Sequence, residues 1–105
     1  MSRAVPDGWL KTGRREYENR TVEVEVKFQP TPEQDGRFEV WVVNEEAEES
    51  TAIENAKPSE TAVRELAKDV MVAFTDAYES AVDDGMGDEA AIAQAIEEAS
   101  ERHRA

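Results

Sequence analysis

An unbroken alternation of polar and apolar side chains over residues 21–28 constrains the fold more than any other feature. The run reads Thr-Val-Glu-Val-Glu-Val-Lys-Phe, so every second side chain is apolar. Such alternation predicts a half-buried antiparallel strand. Residues 37–43, Arg-Phe-Glu-Val-Trp-Val-Val, predict a second strand of the same kind. Because two prolines and an Asp-Gly pair separate the runs, residues 21–43 are expected to form a β-hairpin.

Two amphipathic helices are predicted after the hairpin. Apolar residues recur at intervals of three and four from Val63 to Val82, and Ser59 offers a capping side chain, so residues 59–84 predict a helix. Residues 88–103 predict a second helix with a narrow face of alanine and isoleucine. The short connection favours antiparallel packing. The expected class is therefore α+β, with the hairpin covered on one face by a C-terminal antiparallel pair of helices.

The segments on either side of the hairpin have weaker patterns. Residues 9–17 fit either a third, N-terminal strand or a short helix, because Gly13 and two adjacent arginines interrupt any periodicity. Residues 44–58 contain a run of glutamates and are interpreted as an acidic, solvated connection. No repeat or linker divides the chain, so residues 1–105 are expected to form a single domain.

Charge is abundant and unevenly distributed. The chain has 25 Asp and Glu against 12 Lys and Arg, a net charge of -13. Residues 1–20 hold five basic and three acidic side chains and form a basic arm, whereas residues 21–105 carry a net charge of -15. Two interpretations compete for this acidity. One is an acidic mimic of nucleic acid that inhibits a nucleic-acid-binding protein, and the other is adaptation to molar salt, where the Debye length is only about 3 Å.

Composition favours adaptation to salt. The chain has eight Arg against four Lys, eleven Val against three Ile and two Leu, and fifteen Ala. Short apolar residues combined with carboxylates resemble the residue usage of proteins from extreme halophiles. The sequence shows neither the apolar stretch of a secretion signal nor a run of the roughly 20 apolar residues that span a bilayer, so a cytoplasmic location is expected.

Motifs for catalysis, cofactors or metals are not found in the sequence. There is no cysteine, no phosphate-binding glycine loop and no zinc spacing. The glycines of residues 83–88 do not place oxygen ligands at the positions that an EF-hand calcium loop requires. The single histidine, His103, stands two residues from the end, where it fits a cationic partner for a helix C-terminus better than a catalytic base. The chain is therefore not expected to be an enzyme.

Two surfaces are candidates for binding. Trp41, with Val43 and Glu39, falls on the opposite strand face from the predicted core. Either the basic arm covers this face through its own aromatic residues, or the face is an exposed patch for self-association or another partner.

The second candidate is a trio of arginines in the basic arm, Arg14, Arg15 and Arg20, which could contact RNA or a protein partner. Such an RNA contact would weaken steeply with salt. The leading hypothesis is a small non-enzymatic interaction module of a high-salt cytoplasm, which pairs with itself as a homodimer or with another protein. The nucleic-acid mimic and the RNA contact are the alternatives.

Overall fold

The computed structural model describes residues 4–33 and 35–104. Its elements are β1 (Trp9–Gly13), β2 (Glu16–Asn19), β3 (Val24–Pro30), β4 (Phe38–Asn44), β5 (Glu49–Lys57), α1 (Glu60–Asp83) and α2 (Asp88–Arg102). The five strands form one antiparallel sheet in the order β1-β2-β3-β4-β5. The predicted α+β class is confirmed, and the sheet has five strands where the sequence predicted two or three.

The central hairpin of β3 and β4 follows the alternation in the sequence. Val26 pairs with Val42 and Phe28 with Val40, and these four side chains are buried beneath the helices. The hairpin begins at residue 24 and not at 21. The backbone N–H groups of the two residues after Arg20 donate to the Asn19 side-chain oxygen at 2.8 and 3.0 Å, which makes a turn that ends β2.

The N-terminal segment is a second hairpin, so the strand alternative for residues 9–17 is confirmed. β1 and β2 pair antiparallel through Trp9 with Asn19 and Lys11 with Tyr17, and the register shifts before Gly13. Residues 9–19 of the basic arm are thus part of the sheet, and the two adjacent arginines form the turn between the strands.

The prediction of an acidic connection over residues 44–58 is wrong. The acidic run forms only a four-residue turn, in which Glu48 adopts a positive φ of 55° and the Asn44 side-chain oxygen accepts the Ala47 N–H at 3.3 Å. The chain then continues as β5, which pairs along β4 and buries Ile53. Pairing with a strand that is already half-buried explains how this polar sequence is held in the sheet.

The helices begin and end within a residue or two of the predicted bounds. The Ser59 hydroxyl caps α1 by accepting the Ala62 N–H at 3.1 Å, and Gly85 adopts a φ of +90° after the helix ends. Gly87 stands at the N-cap of α2, and no side chain caps this helix among the described residues. Asp88 is the first helical residue, and its carboxylate accepts a hydrogen bond at 3.1 Å from the hydroxyl of Tyr78.

One core fills the space between the sheet and the helices. α1 packs on β3, β4 and β5, and α2 packs on α1 and β5. The buried side chains come from all five strands and from both helices, and Trp9 and Tyr17 are among them. Within the described ranges, neither helix has the length and apolarity that a bilayer crossing requires. The helices cover one face of the sheet, and its other face carries the first candidate surface.

Candidate functional site

The face of the sheet opposite the helices is here called the open face. Its side chains can be read from the strand register, because residues directly opposite on neighbouring strands share a face. One row runs from Glu16 through Lys27 and Trp41 to Ala52. The adjacent row runs from Leu10 through Glu18, Glu25 and Val43 to Ser50. The open face is therefore acidic towards β2 and more apolar towards β5.

The N-terminal hairpin does not cover Trp41, so the first interpretation of that surface is wrong. Trp9 and Tyr17 lie on the helix side of the sheet, where both are buried. The Trp9 indole donates a hydrogen bond to the Thr75 hydroxyl at 2.9 Å and meets the ring of Phe74 edge-on at 5.8 Å. The hairpin widens the sheet sideways and leaves Trp41 half-buried on the open face.

A groove of about 570 Å³ lies beside Trp41. It forms where β5 bulges, because three residues of β5, Glu54 to Ala56, stand opposite the single residue Glu39 of β4. The segment after β3 closes the groove on a third side. The apolar residues of the lining are Pro32, Trp41, Ala52, Ile53 and Ala56, and the carboxylates are Glu33, Glu39 and Glu54. The site thus combines a flat aromatic surface with an acidic rim.

The indole N–H of Trp41 is buried and has no hydrogen-bond partner in the described part of the chain. A buried donor without an acceptor costs about 1–3 kcal/mol, so such groups are uncommon in folded proteins. Of the three residues proposed for this surface, Trp41 and Glu39 line the groove. Val43 lies on the same face, one row away, between Glu25 and Ser50.

Three carboxylates that the sequence analysis did not connect also meet on the open face. Ligand oxygens of Glu18, Glu25 and Glu45 lie within 4.8 Å of one another. Burial raises the pKa of the Glu25 carboxyl, the Glu16 carboxylate raises it further, and Lys27 lowers it. Three oxygens of this kind suit a hard cation such as Ca²⁺, although acidic groups also cluster on surfaces without an ion. Only the strand register brings these residues together.

The three arginines of the second candidate surface are not gathered into one patch. Arg15 donates to the Glu60 carboxylate at 2.8 Å, and Arg14 lies 3.6 Å from the same group. The Arg15 guanidinium also lies over the ring of Phe38, 5.7 Å from its centre. The contacts of Arg15 and Arg14 with Glu60 lower the pKa of the Glu60 carboxyl, chiefly through the hydrogen bond from Arg15. Arg20 stands at the other end of β2 and is exposed.

A second cavity, of about 330 Å³, lies between α2 and the ends of β4 and β5. Asn44, Thr51 and Ser100 contribute polar groups to its lining, and Ile96 contributes apolar surface. The Ser100 hydroxyl is buried and has no hydrogen-bond partner among the described residues. The sequence analysis missed this cavity because it assigned the whole of β5 to a connection.

The comparisons with protein-family models, with curated proteins and with solved structures found no match for this chain. The interpretation of the open face therefore depends on the chemistry of its own side chains. Those side chains form an accessible groove that contains the aromatic ring of Trp41 and has carboxylates at its edge.

Proposed function

We propose that this protein is a small non-enzymatic interaction module, adapted to a high-salt cytoplasm, that binds a partner through the open face around Trp41. The observation that carries the proposal is the position of Trp41. Neither the helices nor the N-terminal hairpin covers this side chain, and it stays partly exposed beside a groove. Val43 extends the apolar surface, and Glu39 supplies a charge next to it.

The size and nature of the groove support a binding role. Tryptophan is the residue most enriched at the energetic centres of protein interfaces. A groove of about 570 Å³ falls within the range of roughly 300–1,000 Å³ that is typical of ligand sites. On the open face the carboxylates of Glu16, Glu18 and Glu25 lie on β2 and β3, whereas Trp41, Val43 and Ala52 lie on β4 and β5. Apart from Leu10 on β1, the apolar side chains of the two rows are therefore near β5.

The acidic surface supports adaptation to salt. A net charge of -13 on 105 residues produces strong self-repulsion, which molar salt screens. Salts that are excluded from protein surfaces also strengthen apolar association. A half-buried tryptophan would therefore bind more tightly in such a solution than in dilute buffer.

The RNA-contact alternative has less support. Arg14 and Arg15 are engaged by Glu60 within the same molecule, and the engagement includes a hydrogen bond of 2.8 Å. Binding to a phosphate backbone would have to break these contacts and would lose affinity in molar salt. Among the described residues, Trp41 has no internal hydrogen bond that a ligand would have to break.

Site-specific photocrosslinking tests the proposal. A benzoylphenylalanine placed at Ser50, which is exposed on the open face, should crosslink a partner protein in native lysate at 2–3 M KCl. The matched control is the same photoprobe at Ala90, an exposed residue of α2. The crosslink at Ser50 should disappear when Trp41→Ser is added, with circular dichroism unchanged. Equal crosslinking at the two positions, or none at Ser50, would refute the proposed binding face.

A further inference from the structure

We propose that the groove beside Trp41 binds an arginine or lysine side chain from an extended basic segment of a partner protein. This inference depends on the proposed function, because it specifies what the open face binds. The residues involved are Trp41 as the floor and Glu33, Glu39 and Glu54 as the acidic rim.

The charge of the groove favours a cationic ligand. Its three carboxylates come from three separate segments, the loop after β3, β4 and the bulge of β5, and no lysine or arginine is among the described residues that line it. In the described part of the chain, Glu33 and Glu39 form no ion pair. Glu54 is 3.8 Å from Arg104, and both of these side chains are largely exposed. Among the described residues, the carboxylates of Glu33 and Glu39 are therefore available to pair with a cation of a bound ligand.

Besides Arg104, a second cation of the same molecule, Arg37, comes close to the groove and does not neutralise its carboxylates. Arg37 donates to the Ala56 carbonyl at 3.2 Å, and it pairs with none of the three rim carboxylates among the described residues. This hydrogen bond to a backbone oxygen keeps the Arg37 side chain at the bulge of β5. The bulge is in turn fixed from the helix side, because the Asn55 side chain donates to the carbonyl of His103 at 2.8 Å.

The aromatic floor adds selectivity for a cation with an apolar stem. Arginine and lysine lay their methylene chains on apolar surface while the charged group remains near water or a carboxylate. A guanidinium or ammonium group over an indole face gains a further attraction from the ring. The indole N–H is itself buried, so the part of Trp41 that a ligand contacts is the exposed surface of the ring.

A second copy of the chain fits this face less well than a basic segment does. Pairing two open faces about a two-fold axis would place the carboxylates of Glu16, Glu18, Glu25 and Glu39 and those of their copies in one interface. Lys27 is the one cation in the two rows that cross all the strands. Molar salt screens this repulsion beyond a Debye length of about 3 Å, so only carboxylates in direct contact still repel each other.

The test uses two labelled nine-residue peptides of alternating arginine and valine, one of them with every arginine replaced by its neutral isostere citrulline. Fluorescence anisotropy at 2 M KCl measures the binding of both peptides to the wild-type chain. The arginine peptide should bind about tenfold more tightly than the citrulline peptide, as a charge-assisted hydrogen bond of the order of 1.4 kcal/mol requires. Equal affinity of the two peptides would overturn the proposal.

A pair of protein variants locates the effect in the groove. Glu39→Gln should weaken the arginine peptide about tenfold and leave the citrulline peptide unchanged. Glu89→Gln removes the same charge from an exposed position on α2, and it should change neither affinity by more than about twofold. Similar losses from both variants would show that only net charge matters, and the groove would not be the site.

Failure of this inference can be distinguished from failure of the proposed function. If crosslinks at Ser50 persist while the peptides are not distinguished, the open face binds a partner but not through a cation. If light scattering shows a dimer that Trp41→Glu converts to a folded monomer, the occupant is a second copy and the basic segment is refuted. A wild-type monomer that selects the arginine peptide supports the inference.

Discussion

Replacing Phe74 by alanine tests whether α1 presents to the sheet the face that its apolar periodicity predicts. Phe74 has no exposed surface, and it lies between the edge-on ring of Trp9 at 5.8 Å and the stacked ring of Tyr78 at 6.0 Å. An aromatic side chain in such a position buries about 150–250 Å². At about 25 cal/mol per Å², and allowing for the Cβ that alanine keeps, Phe74→Ala should cost roughly 3–5 kcal/mol.

Urea unfolding, followed by circular dichroism in molar KCl, measures this loss. Val72→Ala is the matched control, because Val72 lies two residues away on the same helix and is 41% exposed. It should change the free energy of unfolding by no more than about 0.5 kcal/mol. Tyr78→Ala should fall between the two, since Tyr78 is half-buried and its hydroxyl reaches Asp88 near the surface. A cost at Phe74 no larger than that at Val72 would refute the assigned face.

Three further predictions concern charge. The thermal midpoint should rise from 0.1 to 3 M KCl, since screening removes self-repulsion from a chain of net charge -13, and a flat midpoint would count against salt adaptation. Because Arg15 lowers the pKa of Glu60 below 4.5, the ionised Glu60 stabilises the fold above that pH. This contribution is lost as the pH falls through the lowered pKa, so Glu60→Gln should flatten the acid-induced fall in stability below pH 4.5. Burial raises the pKa of Glu25, so its ionised form destabilises the fold above the raised pKa, and Glu25→Gln should raise the midpoint at neutral pH; an unchanged midpoint would contradict this.

The sequence predicts well the strands and the helix that bury one face and leave the other more exposed. β3 and β4 alternate because one side of each strand contacts the helices, and the apolar positions of α1 recur because one side of that helix contacts the sheet. In both cases a fully apolar inner face is visible in the order of the residues. These elements also place Trp41 on the open face, which the register confirms.

β5 was missed because its pattern is too weak to identify a strand. It runs Glu-Ser-Thr-Ala-Ile-Glu-Asn-Ala-Lys, and Ile53 is its one fully buried large apolar residue. Its strand conformation comes from pairing with β4, a tertiary contact that local propensity does not contain. The acidic turn before β5, in which Glu48 lies in the left-handed region, is a solvated loop, and its sequence is typical of one.

The groove and the acidic cluster could not be derived without the register. The groove needs the bulge that sets Glu54 to Ala56 against a single residue of β4, and the cluster needs Glu18 opposite Glu25. A shift of one residue would move either set to the other face of the sheet. Eighteen glutamates are spread along the chain, so sequence alone could not select these few.

The two parts of the proposed site should contribute to binding in different ways. Each 100 Å² of apolar indole surface that a ligand covers is worth about 2.5 kcal/mol, whereas the tenfold effect expected at Glu39 corresponds to about 1.4 kcal/mol. Trp41 should therefore supply most of the affinity, and Glu39 should supply the preference for a cation. It follows that Trp41→Ser weakens the arginine and citrulline peptides by similar factors, while Glu39→Gln weakens only the first. If Trp41→Ser affected the arginine peptide alone, the attraction of the indole for the cation would outweigh its apolar contact, and this division of roles would be wrong.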